Sequence, residues 1–142
     1  MEKTFIEYMN LKNKSEGEIK FVSPLVLAYI GDAVYEVYIR EYVLYNYGGN
    51  VNKLHKIATK FVKAGAQAKI AHTLEKEISE EEWHMIKRGR NQKSGTVPKN
   101  ADLTDYKYAT GFETLIGYLY LLGNTNRIKE IVKRAVQIIE GN

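Results

Sequence analysis

The sequence has no cysteine and only two prolines in 142 residues. The first absence excludes disulfides, thiol nucleophiles and thiolate metal sites, and is compatible with a reducing cytoplasm. The second leaves long stretches in which nothing stops a helix. Long uncharged apolar runs are also missing. The longest apolar stretch carries Asp32, Glu36, Arg40 and Glu41, which argues against a membrane span. The opening MEKTFIEYMNLKNKSEGEIK has no apolar core of signal-peptide length. We therefore expect a cytoplasmic chain without a membrane partner. Its length suits one domain, 1–142, able to bury roughly two-thirds of its unfolded surface.

What is present is ordinary in amount and uneven in arrangement. Hydrophobic residues make up 44% and charged residues 27%, as in a soluble globular protein. Net charge is only +4, yet Lys53 to Lys76 holds six lysines against one acid, Glu75. Lys87 to Lys107 holds six Lys and Arg against Asp102 and Asp105. Between them lie Glu77, Glu80, Glu81 and Glu82. Segregated basic segments attract polyanions, although on charge alone solvated helix faces account for such runs more simply.

The periodicity is helical throughout. Residues 2–11 read as a short amphipathic helix and 12–20 as a polar loop, together an N-terminal region over 1–22. Ser23-Pro24 then starts a helix that continues to the NYGGN stop at 46–50. Asn50 opens a lysine-rich helix with Val51, Leu54, Ile57, Ala58 and Phe61 on one stripe, and Gly65 is where it would bend. Ser79 with Glu82 forms a capping box. Residues 88–104, RGRNQKSGTVPKNADLT, read as a long basic loop, a length usually associated with function or disorder. Thr104 or Asp105 would cap a helix over 106–122, and 125–140 forms the last one. No segment alternates like a strand. The expected class is all-α.

Two helices stand out. SPLVLAYIGDAVYEVYIREYVLY, 23–45, is apolar on nearly every face, which suits the centre of a fold, yet it contains Asp32, with Glu36 a turn later. TGFETLIGYLYLLGN, 110–124, is equally apolar and contains Glu113. Either acid alone is accounted for by a salt bridge or a cap. Brought together, the two would repel, and a divalent metal held by hard oxygen ligands is the natural remedy. Opposite a basic loop, the target of such a metal would be a phosphodiester.

These residues carry a resemblance. LAYIGDAVYE, 27–36, is similar to the signature helix of the ribonuclease III endonuclease domain, and TGFETLIGYLYL, 110–121, to that family's second acidic helix. NKLHKIATKFVKAGAQAKIAH, 52–72, resembles the helices between the two motifs. RGRNQKSGT, 88–96, and a chain without a double-stranded-RNA-binding domain resemble the short branch called Mini-ribonuclease III. The resemblance implies an all-helical homodimeric bundle that hydrolyses double-stranded RNA with Mg2+. The implied substrate is precursor large-subunit ribosomal RNA, with a ribosomal protein or pre-ribosomal particle as a further partner.

Matched position by position, the resemblance makes Asp32 and Glu113 the catalytic and metal-binding residues. Where longer relatives have a further glutamate and aspartate, this chain has Ala28 and Thr110. Thr110 could hold a metal-bound water through its hydroxyl, and Glu36 is more simply a surface ion-pair partner. RNA contacts would come from the basic loop: Arg88, Arg90, Lys93 and Lys99 toward phosphates, Ser94 and Thr96 toward phosphate or ribose. Lys53, Lys56, Lys60 and Lys63 form a second candidate track. Two other readings stand beside this one. A protein of the same fold could bind RNA without cutting it, and a helical protein-interaction module could use its basic segments for solubility.

Overall fold

The computed structural model describes residues 3–93, 97, 99 and 102–141. Among them every regular element is helical, in the order α1 (Phe5–Tyr8), α2 (Glu16–Lys20), α3 (Pro24–Asn46), α4 (Val51–Val62), α5 (Ala64–Leu74), α6 (Glu80–Arg90), α7 (Leu103–Leu121) and α8 (Thr125–Glu140). Side-chain caps define most starts. Thr4, Ser15 and Ser79 each form a full capping box. Asn50, Asp102 and Asn124 each accept from the backbone amide three residues on. Such a cap contributes about 1 kcal/mol.

Several boundaries differ from the periodicity. Ser15 and Glu18 turn part of the expected 12–20 loop into α2. The first helix shrinks to four residues, none of them buried. Ser23 precedes Pro24 as expected but makes no capping hydrogen bond through its side chain. The break after α4 falls at Lys63, whose extended backbone (φ −63°, ψ 154°) ends one helix and starts the next, and Gly65 continues inside α5. The loop expected over 88–104 is shorter. α6 runs through Arg90, and α7 starts at Leu103, capped by Asp102 rather than by Thr104 or Asp105.

The most enclosed helix is α7. It packs against α3, α5, α6 and α8, and buries Ala109, Gly111, Phe112 and Thr114–Leu119. Two glycine contacts let this happen. A Cβ on Gly89 of α6 would strike Thr114 Oγ1 and Gly111 Cα, so α6 and α7 touch at their backbones. The same holds between α3 and α7 at Gly31 and Gly117, where a Cβ would strike Glu113 O and Leu27 O respectively. Tyr35 pins the centre. It is buried, its ring meets Phe112 edge-on at 5.0 Å, and its hydroxyl donates to Phe61 O at 2.9 Å. The acidic cluster is used structurally. Glu82 and Glu77 take paired hydrogen bonds from Arg127 and Arg134 of α8, and Glu81 accepts from Tyr118 and meets Lys20.

By contrast, α3 is one-sided. Leu27, Ala28, Gly31, Tyr35, Ile39 and Val43 face the core. Its other side leaves Tyr29 77% and Val37 67% exposed, with Val26, Leu44 and Tyr45 also open. The all-round apolar pattern of this helix therefore exceeds what one copy of the chain covers.

Candidate active site

Asp32 follows Gly31, and Glu113 lies four residues before Gly117, so the glycine crossing fixes both acids at one place on the surface. Asp32 is exposed, whereas Glu113 is half-buried. Burial, the charge of Asp32 and a hydrogen bond to Asp32 push the Glu113 carboxyl up to about 8, helped by Glu36 and opposed by a hydrogen bond from Gln67. The physical content is simple. Two carboxylates side by side resist ionising together, and the more buried one holds its proton.

The neighbours define what the pair lacks. Ala28 is buried one turn before Asp32 and contributes no ligand atom. Thr110 lies one turn before Glu113, but its hydroxyl donates to Tyr106 O at 3.0 Å, so its proton is already engaged. Glu36 accepts from Arg40 Nε at 2.9 Å, the surface ion pair expected of it. Among the described residues there is no group of three or more His, Asp or Glu disposed to hold a metal.

One participant was not anticipated from sequence. Gln67 of α5 is buried and donates from Nε2 to Val62 O at 2.8 Å and to Glu113 Oε2 at 3.3 Å. In AGAQAKIAH the only signal was a lone amide among small residues, indistinguishable from a solvated position.

The basic residues divide. Arg88 sits on α6, not in a loop. Its guanidinium donates to Lys20 O at 2.8 Å and reaches Val22 O at 3.5 Å, tying the α2–α3 connection to α6. Arg90, the last residue of α6, lies over Tyr108 at 5.5 Å and contacts its hydroxyl at 3.4 Å. Tyr108 in turn packs against His72, with ring centroids 4.0 Å apart and the planes tilted by 40°. Lys93 and Lys99 are exposed. Ser94 and Thr96 lie outside the described residues.

Comparison with known proteins bears on the carboxylate pair. Residues 25–124 match the Ribonuclease III domain model, a span that begins on α3 and ends just after α7. The chain belongs to the ribonuclease III family. Its relatives place it in the Mini-ribonuclease 3 branch. It is 52% identical to the Mini-ribonuclease 3 of Clostridium tetani (strain Massachusetts / E88), over 89% of this chain and 84% of that one. It is 49% identical to that of Thermoanaerobacter sp. (strain X514), over 96% and 94%. A crystal structure of a Fusobacterium nucleatum protein matches with a TM-score of 0.75 and 35% identity, covering 84% of this chain and 96% of that one. As a ribonuclease III family member the chain is an endoribonuclease. Both acids fall inside the matched span.

Proposed function

We propose that this ribonuclease III domain hydrolyses phosphodiesters of double-stranded RNA, with Mg2+ held between Asp32 and Glu113. The observation that carries the reading is the juxtaposition of those two carboxyl groups, one buried enough to hold its proton near neutrality. The donor set fits a hard divalent cation, because it offers carboxylate oxygens whose mutual repulsion a cation would relieve. Such a cation supplies Lewis-acid stabilisation of a phosphoryl oxygen and a lowered pKa for water. The chain supplies the rest. Glu113 would give up its proton to solvent on binding a cation, Asp32 would hold the exposed side of the site, and Gln67 and the glycine crossing fix where both point.

A duplex substrate suits a site at the surface, where Asp32 is reachable by a polymer. Arg90, Lys93 and Lys99 would meet phosphates, and Ser94 and Thr96 stand as proposed phosphate or ribose donors on sequence alone. Lys53, Lys56 and Lys60 on α4, with Lys63 just after it, would form the second track. Arg88 is better read as a brace. The open apolar face of α3, from Val26 through Tyr29 and Val37 to Leu44, supports a homodimer, since a patch of this kind is rarely left to water. Likeness to the Mini-ribonuclease branch supports precursor large-subunit ribosomal RNA as substrate, with a pre-ribosomal particle as its setting in the cytoplasm. Among the described residues no helix is long and apolar enough to cross a membrane.

The test is incubation with a ribosomal precursor duplex, an unrelated RNA duplex, single-stranded RNA and DNA duplex, each with Mg2+ and with chelator. Cleavage confined to RNA duplexes and dependent on Mg2+ supports the reading, and preference for the precursor supports its finer part. The second reading is duplex binding without cleavage. It is favoured by one observation, that among the described residues no group of three His, Asp or Glu forms around the two carboxylates. Binding of the precursor with no product would establish it.

A further inference from the structure

Gln67 is 3% exposed, and both hydrogens of its amide nitrogen are engaged while its amide oxygen is not. Nε2 faces two oxygens, Val62 O and Glu113 Oε2. A backbone carbonyl only accepts, so the amide nitrogen must point that way and the orientation of the group is fixed. Oε1 is then buried with no hydrogen-bond partner among the described residues. A buried amide oxygen without a partner gives up its hydration and gains nothing in return. The buried neighbours of Gln67 on α5, Ala66, Ala68, Ile70 and Ala71, are apolar and offer that oxygen no side-chain partner, and the bond to Val62 O accounts for the amide nitrogen alone. A leucine or methionine would remove the orphaned acceptor but also the donor to Val62 O and Glu113 Oε2.

We propose that Gln67 is a positioning residue for the carboxylate pair. The Val62 carbonyl anchors its amide at the α4–α5 break, Nε2 holds Glu113 Oε2, and Oε1 is the acceptor for a water at the same site. This role rests on the cation site proposed above and gives it a third protein group that is not itself a ligand. A partner of this kind orients the carboxylate before the cation arrives, so less order has to be imposed on binding. Loss of such an outer partner typically costs 10–100-fold in metal affinity or activity. The backbone explains the placement. Because α4 ends at Val62 and Lys63 is extended, the Val62 carbonyl has no helical amide to accept from, and Gln67, five residues on, reaches back to it.

Calorimetric titration of Mg2+ and of Mn2+ into the cation-free chain tests this, comparing wild type with Glu113→Gln, Gln67→Leu and Gln67→Met. Melting temperature and duplex RNA binding in chelator are measured alongside. The expected result is Glu113-dependent cation binding in the wild type, weakened roughly tenfold or more in both Gln67 variants. Their duplex binding without cation should match the wild type. Methionine is included because its flexible side chain fits the cavity if leucine does not. Wild-type cation affinity in a folded Gln67 variant, with only the melting temperature lowered, would overturn the positioning role and leave Gln67 as a brace for the α4–α5 break. Wild-type protein with no Glu113-dependent cation binding would overturn both this role and the cation site on which it rests.

Discussion

Gly31 of α3 lies against the backbone carbonyl of Glu113 on α7, so the residue after that glycine, Asp32, is delivered to the side chain of that glutamate. One backbone contact thereby sets both the packing of the two longest helices and the separation of the two acids. Gly117 against Leu27 O repeats the contact one turn along α7.

Gly31→Ala should therefore damage function and fold together. A Cβ there meets backbone, not a flexible side chain, so α3 and α7 must separate. Overpacking of this kind costs about 1–3 kcal/mol. Chemical denaturation reads the stability loss. Cation affinity should fall as well, and an alanine variant with both properties unchanged would remove the crossing from the account.

The raised Glu113 carboxyl makes a pH prediction. Its folded value, about 8, exceeds its ordinary 4.5, so between those values the folded chain holds a proton the unfolded chain has lost. Stability from this group is thus fully present below 4.5 and falls as pH rises toward 8. The loss is about 1.4 kcal/mol per pH unit across that window. Melting in chelator should show this decline in the wild type and not in Glu113→Gln, which stays neutral. Added Mg2+ should reduce the wild-type decline. Parallel curves for the two proteins would mean Glu113 ionises normally.

Arg88 and the two exposed lysines should separate cleanly. Arg88→Ala removes charged hydrogen bonds to Lys20 O and Val22 O and should cost about 1–3 kcal/mol of stability. Lys93→Ala and Lys99→Ala should leave melting unchanged. Each should lower duplex affinity and reduce the slope of log affinity against log salt by about 1. Normal salt slopes in both lysine variants would move the RNA contacts elsewhere, with the α4 lysines next to be tested.

How far the sequence carried this account depends on the kind of information required. Isolated acids in apolar helices are conspicuous, so Asp32 and Glu113 could be named from their surroundings, and the structure brings them together. Helix existence followed from periodicity for α3, α4, α7 and α8. What failed needed tertiary knowledge. Arg88 was expected in a loop because 88–104 is rich in glycine, proline, Asn, Ser and Thr, yet Gly89 serves the α6–α7 crossing inside a helix. Gln67 was invisible because its role comes from Val62 and Glu113, which are remote in pattern. The open face of α3 was hidden by its own hydrophobicity, since an apolar residue reads alike whether its partner is the core or a second chain.

That face yields a direct expectation. Val37→Glu places a charge in the centre of the exposed stripe without touching the core side of α3. Sedimentation analysis should find a wild-type dimer and a variant monomer with retained helicity. A wild-type monomer at micromolar concentration, or a dimer that the substitution leaves intact, would contradict an interface on α3.

The central claim is that Asp32 and Glu113 are the residues on which cleavage depends. The direct measurement is product formation from duplex RNA with Mg2+, comparing wild type, Asp32→Asn and Glu113→Gln, with duplex binding measured on the same samples. The account predicts cleavage by the wild type alone and duplex binding by all three. Cleavage that survives either substitution, or a folded wild type that binds the duplex and never cuts it, would contradict it.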